Sequence, residues 1–151
     1  LGVAVRSISF IVYGTPGPQG SKTNYGRGRT VESSAKVKPW REAVKAAARE
    51  AMGDQWQMLT GPVWLTLYVG YSRPASHFGT GRNGGRIKPS APRDKATAPD
   101  LSKIIRSTED ALTEAGIWRD DRLVISVCAS KFWTLGPTRA FIIIETAPVH
   151  A

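Results

Sequence analysis

An α+β fold, with a small mixed β-sheet covered by helices in two layers, follows from three patterns in this 151-residue chain. Apolar residues alternate with a period of two from Ser7 to Tyr13 and from Val63 to Tyr71, which marks strands with one buried face. They recur at helical spacing after Pro39 and again from Leu101 to Ala115. Two more apolar runs, Leu123 to Trp133 and Ala140 to Thr146, flank the turn signal Gly136-Pro137. The order is strand, helix, strand, long loop, helix, strand, strand, with no internal repeat, and segregated elements of this kind pack as sheet against helices. At this length, with 41% of residues apolar, one core suffices, so residues 1–151 are expected to form a single domain.

Each element has a local reason. In the first strand Ile8, Phe10 and Val12 share a face, and Gly14 with Pro16-Gly17-Pro18 ends it. Residues 15–37 show neither period and carry Lys22, Arg27 and Arg29, which reads as a mobile basic loop. Pro39 then opens a helix whose Trp40, Ala43, Val44, Ala47 and Ala51 face one way, and Gly53 closes it. The second strand sets Val63, Leu65, Leu67 and Val69 against Trp64, Thr66 and Tyr68. Residues 72–99 are rich in proline, glycine and arginine and read as a long structureless loop, a length that in a compact domain signals function or disorder. Leu101, Ile104, Ile105, Ala111, Leu112 and Ala115 form the apolar face of the second helix, with Gly116 as its stop. The last two strands read as a hairpin.

Charge is unevenly spread. The chain carries a net charge of +9 and a pI near 10.1, which favours a polyanionic partner. Residues 1–93 hold fourteen Lys and Arg against four carboxylates, whereas residues 94–151 hold seven against eight. In the first helix Lys38, Arg41, Lys45 and Arg49 form a basic stripe, which is either a solvated face partly neutralised by Glu42 and Glu50 or a phosphate-binding one. Arg73, Arg82 and their neighbours make the long loop a candidate wrap for a nucleic-acid strand. A single cysteine, Cys128, excludes an internal disulfide and a multi-cysteine zinc site, and two histidines supply no alternative one. No apolar run is long enough to span a bilayer, so a cytoplasmic protein is expected. The glycines of Gly79-Thr80-Gly81-Arg82-Asn83-Gly84 have dinucleotide-fingerprint spacing but neither the strand before nor the helix after, and they read as loop.

The acidic focus lies in Asp94, Asp100, Glu109, Asp110, Glu114, Asp120 and Asp121. Carboxylates gathered in a basic chain suit a divalent cation working on phosphates. Asp100 stands at the start of the second helix, where an ordinary N-cap would also place an aspartate. Ser102, Arg106 and Asp110 share a face at steps of four. Asp120 and Asp121 are adjacent like charges that repel unless a cation or solvent intervenes. If the strand after Asp121 lies beside the start of the second helix, Asp100 and Asp121 converge on one Mg²⁺, which takes one or two carboxylates plus water and phosphate oxygen.

The segments Asp100-Leu101-Ser102-Lys103, Asp110-Ala111-Leu112, Ala115-Gly116-Ile117-Trp118 and Asp120-Asp121 resemble, in residues and spacing, the RusA family of Holliday junction resolvases, nearest in pattern to the RusA-like proteins of actinobacteria and their phages. The resemblance runs from Phe10 to about Ile144. It implies a RusA-like fold, a homodimer, and a Mg²⁺-dependent endodeoxyribonuclease, with Mn²⁺ as a substitute ion, that binds and resolves four-way DNA junctions in recombination and repair, in a bacterial cytoplasm or from a phage or prophage. Position by position it implies Asp100, Asp110, Asp121 and Arg106 as catalytic residues, with Asp100, Asp120 and Asp121 holding the metal. Lys22, Lys38, Arg41, Lys45, Arg49, Arg73, Arg82 and Lys103 are the candidate DNA contacts. The family motif has a second carboxylate where this chain has Ser102, which leaves open a weakened or inactive protein that still binds junctions.

Overall fold

The structure, a computed structural model, describes residues 5–20, 22–24, 26, 30–32 and 35–148. Its elements in chain order are β1 (Ser7–Tyr13), β2 (Lys22–Asn24), β3 (Thr30–Glu32), α1 (Val37–Met52), β4 (Val63–Ser72), α2 (Leu101–Ala115), β5 (Val124–Thr134) and β6 (Arg139–Thr146). Four strands make one mixed sheet in the order β1-β6-β4-β5, and β2 and β3 make a separate two-stranded ribbon. The strands β4 and β5 are parallel, an arrangement that needs a crossover, and α2 supplies it. The remaining pairs, β1 with β6 and β4 with β6, are antiparallel.

The expected hairpin of the last two strands is not formed, because β4 lies between β5 and β6. A Gly-Pro turn reverses the chain without choosing its partner, and here the short link over residues 135–138 carries it across the end of β4. The loop expected over residues 15–37 contains the β2–β3 ribbon, whose three-residue strands are too short to show a period. Arg27 and Arg29, named in that loop, lie outside the described residues. The first helix begins two residues before Pro39, which occupies its first turn, where the missing N–H costs nothing.

Residues 72–99 are not structureless either. Two single-turn 3₁₀ helices, Ala75–His77 and Gly81–Asn83, interrupt the segment, and Phe78 bridges to Ile87. Arg73 donates to the Pro92 carbonyl at 2.8 Å, and Trp133 Nε1 donates to the Asp94 carbonyl at 3.2 Å. Local sequence without a period is thus held by side chains reaching from the sheet.

Alternation along the strands decides the layers. Ile8, Val12, Leu65, Leu67, Val69, Ala140, Ile142 and Ile144 are buried on one face of the sheet. Both helices cover that face through Trp40, Val44, Ala48, Ile104, Ala111 and Leu112. Between the helices, Trp40 Nε1 donates to Thr108 Oγ1 at 3.1 Å, fully buried, so a polar pair fixes their register inside an apolar core. At the end of α2, Gly116 adopts φ +85° and its N–H returns to the Leu112 and Thr113 carbonyls, a left-handed stop that glycine makes without a Cβ clash. The opposite sheet face is apolar and uncovered by any described residue. Its register aligns Ile11 with Phe141 and Phe141 with Tyr68, and Ile11, Tyr13, Trp64, Tyr68 and Phe132 are all exposed.

Candidate active site

The acidic segment folds as α2 and the turn that follows it. Asp100 takes the N-cap position with extended backbone, yet its side chain accepts no cap hydrogen bond. Its carboxylate is two-thirds exposed and stands 3.7 Å from Lys103 Nζ. The ordinary cap explanation is therefore not what holds an aspartate here, and its oxygens face outward. Ser102, two residues further, is also exposed.

The segment 17–20 lies along α2. Ser107 Oγ donates to the Gly17 carbonyl at 2.6 Å, and the Gln19 amide N–H donates to the Lys103 carbonyl at 3.1 Å. Gln19 Nε2 donates to Asp110 Oδ2, while its Oε1 accepts from Arg41 at 3.4 Å. Arg106 reaches alongside Gly20, where a Cβ would stand 3.7 Å from its Nη1. Asp110 and Arg106 thus face the chain leading into the β2–β3 ribbon. Sequence reasoning missed Gln19 as a partner of Asp110, and no local pattern could have shown it.

Glu109, on α2, feels the charge of Asp121 in the turn that follows. The Glu109 carboxyl is pushed up to about 7, first by burial and then by the charges of Asp121 and Asp110. Like charges close to a half-buried carboxylate disfavour its ionised form. Asp120 is a different case. Its Oδ1 accepts from the Arg122 backbone N–H at 2.8 Å and from Arg122 Nε at 3.1 Å, and these bonds hold its carboxyl below the usual range. The cation required by the Asp120-Asp121 pair is supplied in part by Arg122, two residues on. A signal for it was present in the sequence as an Asp-x-Arg step.

The packing of β5 differs from the arrangement expected to bring Asp100 and Asp121 together. Because β4 and β5 are parallel, the crossover helix runs back against both strands. Lys131, late in β5, therefore reaches the Pro99 carbonyl at 2.9 Å, whereas Asp121, ahead of β5, is the residue whose charge acts on Glu109. Among the described residues no three His, Cys, Asp or Glu side chains form a ready-made ion cage. Exposed carboxylate oxygens are nonetheless the donors that a hard cation takes, and Mg²⁺ asks for only one or two of them. Asp100 and Asp121, both exposed, offer such oxygens.

The basic stripe divides in two. Arg41 and Lys45 turn toward α2, where Arg41 pairs with Glu114 and Lys45 stands 3.1 Å from it. Lys45 also pairs with Glu42 at 2.7 Å. Lys38 and Arg49 are exposed. Arg73 bonds Pro92 and lies 3.2 Å from His77 Nδ1, and Arg82 is exposed in its 3₁₀ turn. Lys22 begins β2, and its side chain lies outside the described residues.

Carboxylates along a crossover helix in a basic two-layer α+β domain suit chemistry on nucleic-acid phosphates. The chain matches the family model described as endodeoxyribonuclease RusA over residues 14–145. It belongs to that family, whose members cut DNA and whose fold is the α+β arrangement seen here. No curated protein matches it. Among the described residues no helix is long and apolar enough to cross a membrane.

Proposed function

We propose that this chain is a Mg²⁺-dependent, structure-specific endodeoxyribonuclease that binds four-way DNA junctions and resolves them in recombination and repair. The observation that carries the reading is the family match over residues 14–145, which takes in the whole acidic segment from Asp100 to Asp121. By their register with the family motif we assign Asp100, Asp120 and Asp121 as metal ligands, Asp100 from the start of α2 and Asp120-Asp121 from the turn that follows it. Glu109, which feels the charge of Asp121, or Asp110 is the carboxylate available to offset the one missing at Ser102. Bound Mg²⁺, or Mn²⁺ in its place, would polarise the scissile phosphate and acidify a water. The chain's own residues orient the substrate around that centre. Arg106 stabilises the charge that builds on the phosphoryl oxygens, and Asp110 is steadied by Gln19.

Phosphate contacts fall to Lys22, Lys38, Arg49, Arg73, Arg82 and Lys103, with Arg41 and Lys45 reaching DNA only by leaving Glu114. Such contacts fix register without reading bases. A homodimer suits a substrate of approximate twofold symmetry, since two matched cuts need two sites. The uncovered apolar sheet face supports that assembly. On β6 it carries Arg139 near one end and Glu145 near the other, so two copies packed face to face with strands opposed would match these charges. The same reading puts the protein in the cytoplasm of a bacterial cell, chromosomal or phage-encoded, where junction DNA would be met.

A second reading rests on Ser102, which is exposed where the family pattern has a carboxylate. On it the chain binds junctions and cuts them weakly or not at all. Mobility-shift and cleavage measurements on a labelled four-way junction, with and without Mg²⁺, separate the two. Cleavage that Ser102→Asp increases supports the nuclease. Tight binding with no cleavage by either form supports the binding protein.

A further inference from the structure

The segment just before Asp100 is held by two lysines from different parts of the chain. Lys95 is 7% exposed, and its Nζ donates to Thr97 Oγ1 at 2.6 Å, to the Thr97 carbonyl at 3.2 Å and to the Ala98 carbonyl at 2.5 Å. Lys131, from β5, donates to the Thr97 carbonyl at 2.6 Å and to the Pro99 carbonyl at 2.9 Å. The Asp100 carbonyl accepts the first helical N–H groups, from Lys103 and Ile104, both at 3.2 Å. Every carbonyl from Thr97 to Asp100 is thereby fixed. Lys95 is itself seated on two aromatic faces, 4.8 Å from the centre of the Tyr71 ring and 5.0 Å from that of Trp133, which favours a cation there.

Thr97 and Ala98 are exposed, so water could satisfy their carbonyls without either lysine. Placing two ammonium groups side by side has a cost: burial, and then the Lys131 charge, lowers the Lys95 pKa. The arrangement gives each ammonium the acceptors its fixed donors require and ties the segment to the buried side of β4 and β5. Asp100, the next residue, has no cap bond of its own to orient it.

We infer that Lys95 and Lys131 form a clamp on residues 97–99 that positions Asp100, making both lysines positioning residues for the nuclease site. This rests on the reading of Asp100 as a metal ligand. Partners bonded directly to a metal ligand change ion affinity or activity by about 10- to 100-fold, and a clamp on the neighbouring backbone is expected at the low end of that range. The test uses the full chain and titrates Mn²⁺, read by electron paramagnetic resonance, alongside steady-state cleavage of a junction. Lys131→Met should weaken Mn²⁺ binding about tenfold and lower kcat with KM little changed. Lys131→Arg should recover part of the loss, since a guanidinium also spans two carbonyls. Thr97→Val, which removes an acceptor of Lys95 at an exposed position, should give a smaller fall in the same direction. Unchanged Mn²⁺ affinity in Lys131→Met and Thr97→Val, beside a loss in Asp100→Asn, overturns the clamp. Unchanged affinity in Asp100→Asn overturns the ligand assignment, and the clamp's role falls with it.

Discussion

Replacing Glu109 by Gln should stabilise the protein at alkaline pH and leave it nearly unchanged at acid pH. The Glu109 carboxyl is raised from an ordinary 4.5 to about 7 by burial and by Asp121 and Asp110. A raised folded-state pKa favours the protonated form, so the associated stability is present below 4.5 and is lost as pH rises through about 7. Above that, the wild-type chain carries a strained charge. A shift of this size, fully realised, corresponds to about 3 kcal/mol. Glu109 is only partly buried, and solvent screening brings the expected effect down to about 1–2 kcal/mol. Urea unfolding of wild type and Glu109→Gln across this pH range reads it directly, because subtraction cancels the other carboxylates. Near pH 8 the variant should be the more stable, with Tm higher by about 2–6 °C, and the difference should vanish below pH 4.5. Saturating Mg²⁺ at pH 8 should narrow the gap, since a cation beside Asp121 relieves the same repulsion. A difference independent of pH would mean that Glu109 does not carry a raised pKa in the folded chain.

Thr108→Val should cost about 1–3 kcal/mol in urea unfolding, because it leaves the buried Trp40 N–H without its acceptor. Thr108→Ser should retain most of the stability, and equal losses in both would mean that packing rather than the hydrogen bond is at stake. The divided stripe makes a prediction for salt dependence. Lys38→Ala with Arg49→Ala should flatten the plot of log junction affinity against log salt by about 2. Arg41→Ala with Lys45→Ala should change that slope less, since both cations are paired with Glu114, and the opposite ranking would assign the DNA contact to the inner pair.

The helices and core strands were legible because their periods are local. The pattern Leu101 to Ala115 with Gly116 predicts α2 as it is observed, and Val63 to Tyr71 predicts β4 to within a residue. Strand partnership was not legible, since the exposed residues of β5, among them Ile125 and Val127, resemble those of any edge strand. The order of the loop over residues 72–99 escaped for a related reason. It comes from Arg73, Trp133, Lys95 and Lys131, whose partners in the loop no local pattern announces. At the site, Asp100, Asp110, Asp120 and Asp121 were legible as a spaced motif. What each carboxylate touches was not: Gln19 on Asp110 spans a sequence separation of 91, and the charge of Asp121 on Glu109 depends on how the turn after α2 folds back.

The most direct measurement of the account is cleavage of a strand-labelled synthetic four-way junction by the full chain in Mg²⁺, with linear duplex as control and Ser102→Asp alongside. Expected are paired, symmetrically placed nicks in the junction, none in the duplex, loss of cutting in Asp121→Asn, and faster cutting in Ser102→Asp. No junction cleavage in Mg²⁺ or Mn²⁺ at any protein excess, by either form, would contradict it.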